Sequence, residues 1–229
     1  MIQIIKSIAY LFYLEYISFY YLIKDLIYNT ISHNFVCKYH CKKSKIKFIK
    51  QTKDHDIALQ KTVFLVNHRS TADFFIDSAI LNGAYISRLL VFLLSPSSCL
   101  LSYLNNKIIF MNRSKCNKKQ LEQNIVNNYN QNQNLIVYPE GTRQQTNVSK
   151  PLKFGIIRMA YRNNIPIQIV IITNKEKVWS LKKLTYNENQ TCHVFNSKSI
   201  DPKDFENIDL WCKHIETEWH KVWNMAYNN

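Results

Sequence analysis

T-V-F-L-V-N-H-R-S-T-A-D, residues 62–73, decides how the rest of the chain is read. Residues 62–66 are β-branched, aliphatic or aromatic, which fits a buried strand, and the run stops at Asn67-His68. Ser70 is then a candidate N-cap for a helix running to about Asn82, with Gly83 just past its end. His68 thus falls at a strand-to-helix turn, and Asp73 follows five residues later. On a continuous helix five residues turn through about 500° at 3.6 per turn, which would point the two side chains apart. They meet only if His68 precedes the helix and Asp73 lies in its first turn, where the capping signal puts it. A carboxylate there fixes the imidazole tautomer and steadies the imidazolium formed when the ring takes a proton. Such a pair is a base without a built-in nucleophile. A plainer reading stands beside it: Ser70-x-x-Asp73 resembles a capping box, although the box favours Glu or Gln at its last position. Asp73 would then serve the helix alone, and His68 would be a turn residue at the surface.

A chain of 229 residues makes one domain of ordinary size, with room for an appendage and a sizeable core. Three glycines and five prolines exclude fibrous and loop-rich classes. Thirty Lys and Arg against sixteen Asp and Glu leave a net charge of +14, which favours nucleic acid, phospholipid headgroups or phosphorylated metabolites as partners. Cys37, Cys41, Cys99, Cys116, Cys192 and Cys212 are scattered, and no cleavable signal peptide is evident, so free thiols in a reducing compartment are expected.

Residues 4–31 are nearly all apolar or aromatic, and Lys6, Glu15, Lys24 and Asp25 are their only charges. The uncharged run 16–23 is far too short to span a bilayer. Extending it back to residue 7 places Glu15 inside, at a cost of about 2.5–3.5 kcal/mol if it behaves like Asp on insertion scales. The six tyrosines of this segment suit the membrane–water interface. A membrane-embedded or interfacial helix, or a helical pair, is therefore expected over residues 1–36. A docking helix of a soluble protein is the alternative. Residues 37–55 carry Lys38, Lys42, Lys43, Lys45, Lys47, Lys50 and Lys53, and read as a basic juxtamembrane linker attracted to anionic lipid. No nucleic-acid-binding module stands beside them, so nucleic acid is not expected as a partner. Cys37-x-x-His40-Cys41 lacks a similarly spaced second pair, and no metal site is expected.

Residues 56–229 form the main domain. Strand-like runs at 62–66, 107–111, 135–138 and 165–173 alternate with helical stretches at 71–82, 118–130 and 152–163. The alternation predicts an α/β layered domain with a mixed, mostly parallel sheet flanked by helices. Residues 89–104 are conspicuously apolar but broken by Ser95-Pro96, which fits buried core or a membrane-dipping segment. Ile208, Trp211, Ile215, Trp219 and Val222 have helical spacing within 204–227, a docking helix entered at Asp201-Pro202.

Later positions can join His68. In Y-P-E-G-T-R, residues 138–143, Pro139 ends a buried strand and Gly141 permits a tight turn. Backbone N–H groups, the Thr142 hydroxyl and the Arg143 guanidinium could face an anion there. Arg113 closes K-I-I-F-M-N-R, residues 107–113, and Lys153 and Gly155 open a helix whose N-terminal N–H groups favour phosphate. Singly, each is an ordinary solvated turn charge. Together they outline one base with several phosphate clamps.

These blocks carry a family resemblance. N-H-R-S-T-A-D resembles the N-H-x(4)-D motif of the glycerolipid acyltransferases, the group containing the 1-acyl-sn-glycerol-3-phosphate acyltransferases. Y-P-E-G-T-R is similar to their F-P-E-G-T-R, with Tyr138 in place of Phe. K-I-I-F-M-N-R is similar to G-x-x-F-I-D-R, with Lys107 for Gly and Asn112 for Asp, and I-P-I-Q-I-V at 165–170 resembles I-P-I-V-P-V without its second proline. The resemblance implies that His68 is a general base taking the proton of an acceptor hydroxyl as it attacks an acyl-CoA thioester, with Asp73 orienting it. It also implies that Arg113, Glu140, Gly141, Thr142 and Arg143 hold the acceptor's phosphate and glycerol, Glu140 by orienting an arginine or a hydroxyl. No metal or cofactor is implied; acyl-CoA is a co-substrate. The implied partners are acyl-CoA, a lysophospholipid acceptor and membrane lipid. The implied product is phosphatidic acid. Alternatives are a lysophospholipid or lysocardiolipin acyltransferase, a transacylase, or a non-catalytic membrane lipid-binding protein. The expected location is a membrane, the endoplasmic reticulum or another endomembrane in a eukaryote, with the site facing the cytosol and the sequons at Asn112, Asn147 and Asn189 unmodified.

Overall fold

The strand-like runs become the centre of one seven-stranded sheet in the computed structural model, which describes residues 2–28, 32–59, 61–111, 118–131 and 133–228. The chain opens with α1 (Ile2–Tyr28) and α2 (His33–Lys43), the latter capped by the Ser32 hydroxyl accepting from the Phe35 N–H at 3.2 Å. It continues through β1 (Lys47–Lys50), β2 (Val63–Val66), α3 (Asp73–Leu81) and β3 (Gly83–Arg88). Then come α4 (Val91–Leu94), α5 (Pro96–Leu104), β4 (Ile108–Met111), α6 (Lys118–Asn130) and β5 (Asn134–Val137). The last part holds α7 (Gly155–Arg162), β6 (Ile167–Ile172), α8 (Lys175–Val178), β7 (Trp179–Ser180), β8 (Thr185–Tyr186), β9 (Thr191–Asn196) and α9 (Ile208–Tyr227).

The sheet order is β1-β9-β6-β2-β5-β3-β4. Strands β2 to β6 run parallel, with Val63 opposite Leu135 on one side and Ile167 on the other. Strand β9 is antiparallel to β6, and β1 pairs parallel with β9. Because strand side chains alternate, each central strand feeds two cores. Val63, Leu65, Leu135, Ile167, Ile169 and Ile171 face α6, α7 and α9. Phe64, Val66, Ile136, Val170 and Ile172 face α1, α2 and α3. Burial of each such side chain stabilises the fold by about 1.5–3 kcal/mol. In α9, Trp211, Trp219 and Trp223 are fully buried, and their indole N–H groups donate to Ile157 O (3.0 Å), Ser149 Oγ (2.7 Å) and Asn147 O (2.7 Å). The C-terminal helix therefore pins residues 147–149, downstream of the Y-P-E-G-T-R turn.

Several expectations change. The helix after His68 begins at Asp73, and Ala72 rather than Ser70 is its first flanking residue. At its other end the left-handed position belongs to Asn82 (φ 44°). Gly83 instead opens β3, where a Cβ would lie 2.8 Å from Ile136 Cγ1 and 3.2 Å from Asn134 O. Asn tolerates the left-handed region, so glycine is freed for the close strand approach. Asn207, not the Asp201-Pro202 pair, caps α9; Pro202 opens a short 3-10 turn. Residues 37–55, read as a basic linker, hold the end of α2 and the edge strand β1. Lysines on an exposed edge are a common guard against edge-to-edge pairing. Residues 89–94 are not core: Leu89, Leu90, Leu93 and Leu94 are all exposed.

No described helix is long and apolar enough to cross a membrane. One face of α1 (Ser7, Tyr10, Leu14, Ile17, Ser18 and Leu22) is buried in the domain. Glu15, which disfavours a spanning helix, binds α5: its carboxylate accepts from Ser97 N–H at 3.0 Å and from the Ser95 hydroxyl. The opposite face exposes Ile5, Ile8, Phe12, Tyr16, Phe19, Ile23 and Ile27.

Candidate active site

Parallel neighbours β6, β2 and β5 end at one edge of the sheet, where open α/β sheets place their ligands. Strand β2 delivers Asn67 and His68, β5 delivers Tyr138 to Arg143, and β6 delivers Lys175. Asn67 extends the ladder with its side chain: Nδ2 donates to Ile172 O at 3.0 Å, and Oδ1 accepts from Ile172 N–H at 2.9 Å. The His68 carbonyl accepts from Gln144 N–H at 2.8 Å, and the His68 N–H donates to Glu140 Oε2 at 3.1 Å. Glu140 is buried, so it fixes the backbone of the histidine turn from behind. The expected target of this acid is an arginine or a hydroxyl; the bond it makes here is to a main-chain N–H.

The turn brings His68 and Asp73 together, with Nδ1 2.7 Å from Asp73 Oδ2. The same oxygen accepts from Arg69 N–H at 2.7 Å, and Oδ1 accepts from Ser70 N–H at 2.9 Å. The Ser70 bond is one half of a capping box. The other half is absent, because the Ser70 hydroxyl accepts from Ala72 N–H at 3.0 Å and donates to Trp179 O. Asp73 thus closes the turn and orients the ring at once. A carboxylate at Nδ1 leaves Nε2 as the basic atom. Among the described residues Nε2 has no hydrogen-bond partner, and the ring is 21% exposed while Asp73 is 2% exposed.

Behind this pair lies a buried layer that sequence reasoning missed. Lys175 Nζ donates to Asn67 O at 2.7 Å and to Asp77 Oδ1 and Oδ2 at 2.9 and 3.0 Å, and it lies 3.5 Å from Asp73 Oδ1. The Tyr138 hydroxyl donates to Asp77 Oδ2 at 2.8 Å while its ring stacks on His68, centroids 4.3 Å apart. Burial opposes the charge on Asp73, yet Lys175 and the His68 hydrogen bond outweigh it and hold the carboxyl below its ordinary range. For Asp77 burial prevails and pushes the carboxyl up to about 7, even with Lys175 beside it. Burial also opposes the Lys175 charge, but Asp73 and Asp77 hold its ammonium above the ordinary lysine value. Arg69, fully buried, donates to Glu176 Oε1 at 3.2 Å and Oε2 at 3.3 Å, and to the carbonyls of Gln145 and Thr146. It ties the histidine turn to the loop after Arg143. One signal was available in the sequence: Asp73 and Asp77 are four residues apart on a mostly apolar helix, and buried acids need a cation. Lys175 gave none, for a lysine after a strand reads as a solvated turn charge.

Gly141 adopts φ 70° and its N–H donates to Tyr138 O at 3.0 Å, closing the tight turn. The Lys153 side chain lies against it, where a Cβ would come 2.3 Å from Nζ. The Thr142 hydroxyl accepts from Lys150 Nζ at 3.0 Å, and Arg143, exposed, reaches Thr71 Oγ1 at 3.4 Å. Arg143, Lys150 and Lys153 therefore make this turn cationic. Arg113 falls among residues 112–117, outside the described residues. A cavity of about 780 Å³ between α1, the α2–β1 turn and residues 186–190 contains none of these side chains. The candidate site is defined by its chemistry and not by that hollow.

A family model described as Acyltransferase matches residues 47–173, from β1 to the end of β6. No curated protein matches the chain. Among solved structures, the crystal structure of the 1-acyl-sn-glycerophosphate (LPA) acyltransferase PlsC from Thermotoga maritima is similar, with a TM-score of 0.71 and 17% identity over 97% of each chain. At that identity the likeness is one of fold.

Proposed function

The chain belongs to the Acyltransferase family, and from that premise we propose that it moves a fatty acyl group from acyl-CoA to the free hydroxyl of 1-acyl-sn-glycerol-3-phosphate, giving phosphatidic acid. The observation that carries this reading is the 2.7 Å contact between His68 Nδ1 and Asp73, with Nε2 unpartnered among the described residues beside a cationic turn. In the proposed reaction the acceptor hydroxyl gives its proton to Nε2 as its oxygen attacks the thioester carbonyl carbon. Asp73 stabilises the imidazolium that results. When the tetrahedral intermediate collapses, the carbon–sulfur bond breaks and the proton passes from Nε2 to the departing thiolate, releasing CoA. Arg143, Thr142, Lys150 and Lys153 would hold the acceptor phosphate, joined by Arg113, and so place the hydroxyl near the thioester. Glu140 and Gly141 shape the turn that presents them.

The apolar stripe of α1 and the exposed leucines of residues 89–94 support a second part of the reading. The protein lies in one face of a membrane, an endomembrane exposed to the cytosol in a eukaryotic cell, and takes its acceptor from that layer. The test is release of free CoA from acyl-CoA and lysophosphatidate by purified protein, with other lysophospholipids and a phospholipid donor in parallel. His68→Ala should stay folded and lose activity by a factor of 10² or more. Full activity in that variant ends the proposal, and a preference for another acceptor or donor replaces the substrate while leaving the chemistry.

A further inference from the structure

Two buried carboxylates and one buried ammonium stand behind His68 in a geometry that the proposed reaction does not by itself require. Lys175 is fully buried, with its nitrogen aimed at Asn67 O, at both oxygens of Asp77 and at Asp73 Oδ1. Tyr138, where the resembling motif has Phe, joins the two layers by stacking on the imidazole and donating to Asp77. Above the Asp77 transition at about 7 both carboxylates are ionised, and Asp73, Asp77 and Lys175 then carry a net charge of −1, which an imidazolium at His68 brings to zero. The geometry points to Lys175 and Asp77 as positioning residues that hold Asp73 ionised and in line with His68, and that match the charge of the buried set to the protonated ring. This inference rests on His68 being the general base.

Other groups around the set do not supply the same charge. The phenol of Tyr85 donates to Phe74 O, Cys41 and Cys192 are buried thiols, Arg69 is paired with Glu176, and Glu140 faces the His68 main chain. Lys175 is thus the cation within reach of both Asp73 and Asp77 among the described residues. Without it, two buried carboxylates one helical turn apart would face each other across a low-dielectric site with no opposite charge between them. With Asp77 neutralised instead, the ammonium would bear on Asp73 alone and oppose the imidazolium.

These charges give the test a sign. Where both acids are ionised, changing Lys175→Met takes the set to −2, Asp77→Asn takes it to 0, and the double variant returns it to −1. The acidic limb of the kcat/KM profile for acyl transfer should move up by about one pH unit in Lys175→Met and down in Asp77→Asn. It should come back toward the wild-type position in the double variant, with kcat reduced more than KM in each single variant. Limbs that stay in place in folded variants, or move the same way in both, overturn the inference. Lys175→Met leaves two buried acids uncompensated; if it fails to fold, Asp77→Asn and the double variant still carry opposite expectations.

A second measurement needs no turnover: the hydrogen-bonded Nδ1 proton of His68 followed by NMR at neutral pH. It should be seen downfield in the wild type and weaken in Lys175→Met, and an unchanged signal there overturns the positioning role. If the wild type transfers no acyl group to any acceptor, the proposed function fails, and the NMR result still decides whether Lys175 aligns the pair.

Discussion

Replacing Asp73 by Asn isolates what the carboxylate contributes, because the shapes are nearly the same and only the hydrogen-bonding capacity changes. The native side chain accepts three bonds of 2.7–2.9 Å, from His68 Nδ1 and the N–H groups of Arg69 and Ser70. An amide has a single acceptor oxygen. If that oxygen takes the Oδ2 position, it keeps His68 and Arg69, and its NH₂ confronts the Ser70 N–H and the Lys175 ammonium. If it takes the Oδ1 position, its NH₂ faces Nδ1, the ring must carry its proton on Nε2, and the base is lost. The first arrangement leaves a buried backbone donor unsatisfied at a cost of about 1–3 kcal/mol. The second leaves the Arg69 N–H facing the NH₂ at a similar cost and also abolishes the tautomer, a change that costs about 10⁴-fold in the analogous serine protease triad. We expect kcat to fall by about 10²–10⁴, with KM for the acceptor within a few fold. Because the Asp73 carboxyl is held below its ordinary range, its contribution to stability is present above about pH 4 and lost as pH falls through the native value. The thermal stability gap between wild type and Asp73→Asn should therefore be open at pH 7 and narrow in acid. Steady-state kinetics and thermal melts across pH read both effects. Wild-type kcat in a folded variant would refute the assignment of the pair, and a gap that widens in acid would refute the electrostatics.

The remaining expectations concern the turn, the buried acid and the surface. Gly141→Ala places a Cβ at φ 70°, costing about 1–2 kcal/mol, and pushes the flexible Lys153 side chain away. The variant should melt a few degrees lower and show a KM for the acceptor raised about tenfold; an unchanged KM would detach this turn from acceptor binding. Because the Asp77 carboxyl is pushed up to about 7, its favourable contribution is complete below about pH 4 and fades as pH rises toward 7. The melting temperature of wild type relative to Asp77→Asn should therefore fall over that interval, and a rise would contradict the shift. Glutamates at Phe12 and Phe19, both exposed on α1, should abolish flotation with anionic vesicles while the circular dichroism spectrum is kept. Undiminished flotation would remove α1 from the membrane contact.

The sequence by itself determined the central layer of the fold and the chemistry at its edge. Runs such as 62–66 and 165–173 are apolar on both faces, and only a sheet covered on both sides accepts them, so alternation with helices was enough to specify α/β. The H-x(4)-D spacing was legible because it joins an imidazole to a carboxylate only across a strand-to-helix boundary, the arrangement found at His68 and Asp73. Its capping reading was also half right, since Asp73 accepts from Ser70 N–H. Strands β1 and β9 were not legible: they lie toward one side of the sheet, with Thr191, His193 and Asn196 breaking any apolar run in β9 and lysines at both ends of β1, so local pattern does not mark them. The apolar run 89–104 could not be placed, because hydrophobicity alone does not distinguish a buried face from an exposed one. Only tertiary structure decided what surrounds the histidine. Lys175 lies far along the chain from Asp77, and nothing local says that the ends of β6 and β2 are neighbours. Parallel pairing of those strands buries the lysine, and burial obliges it to meet the two acids of α3.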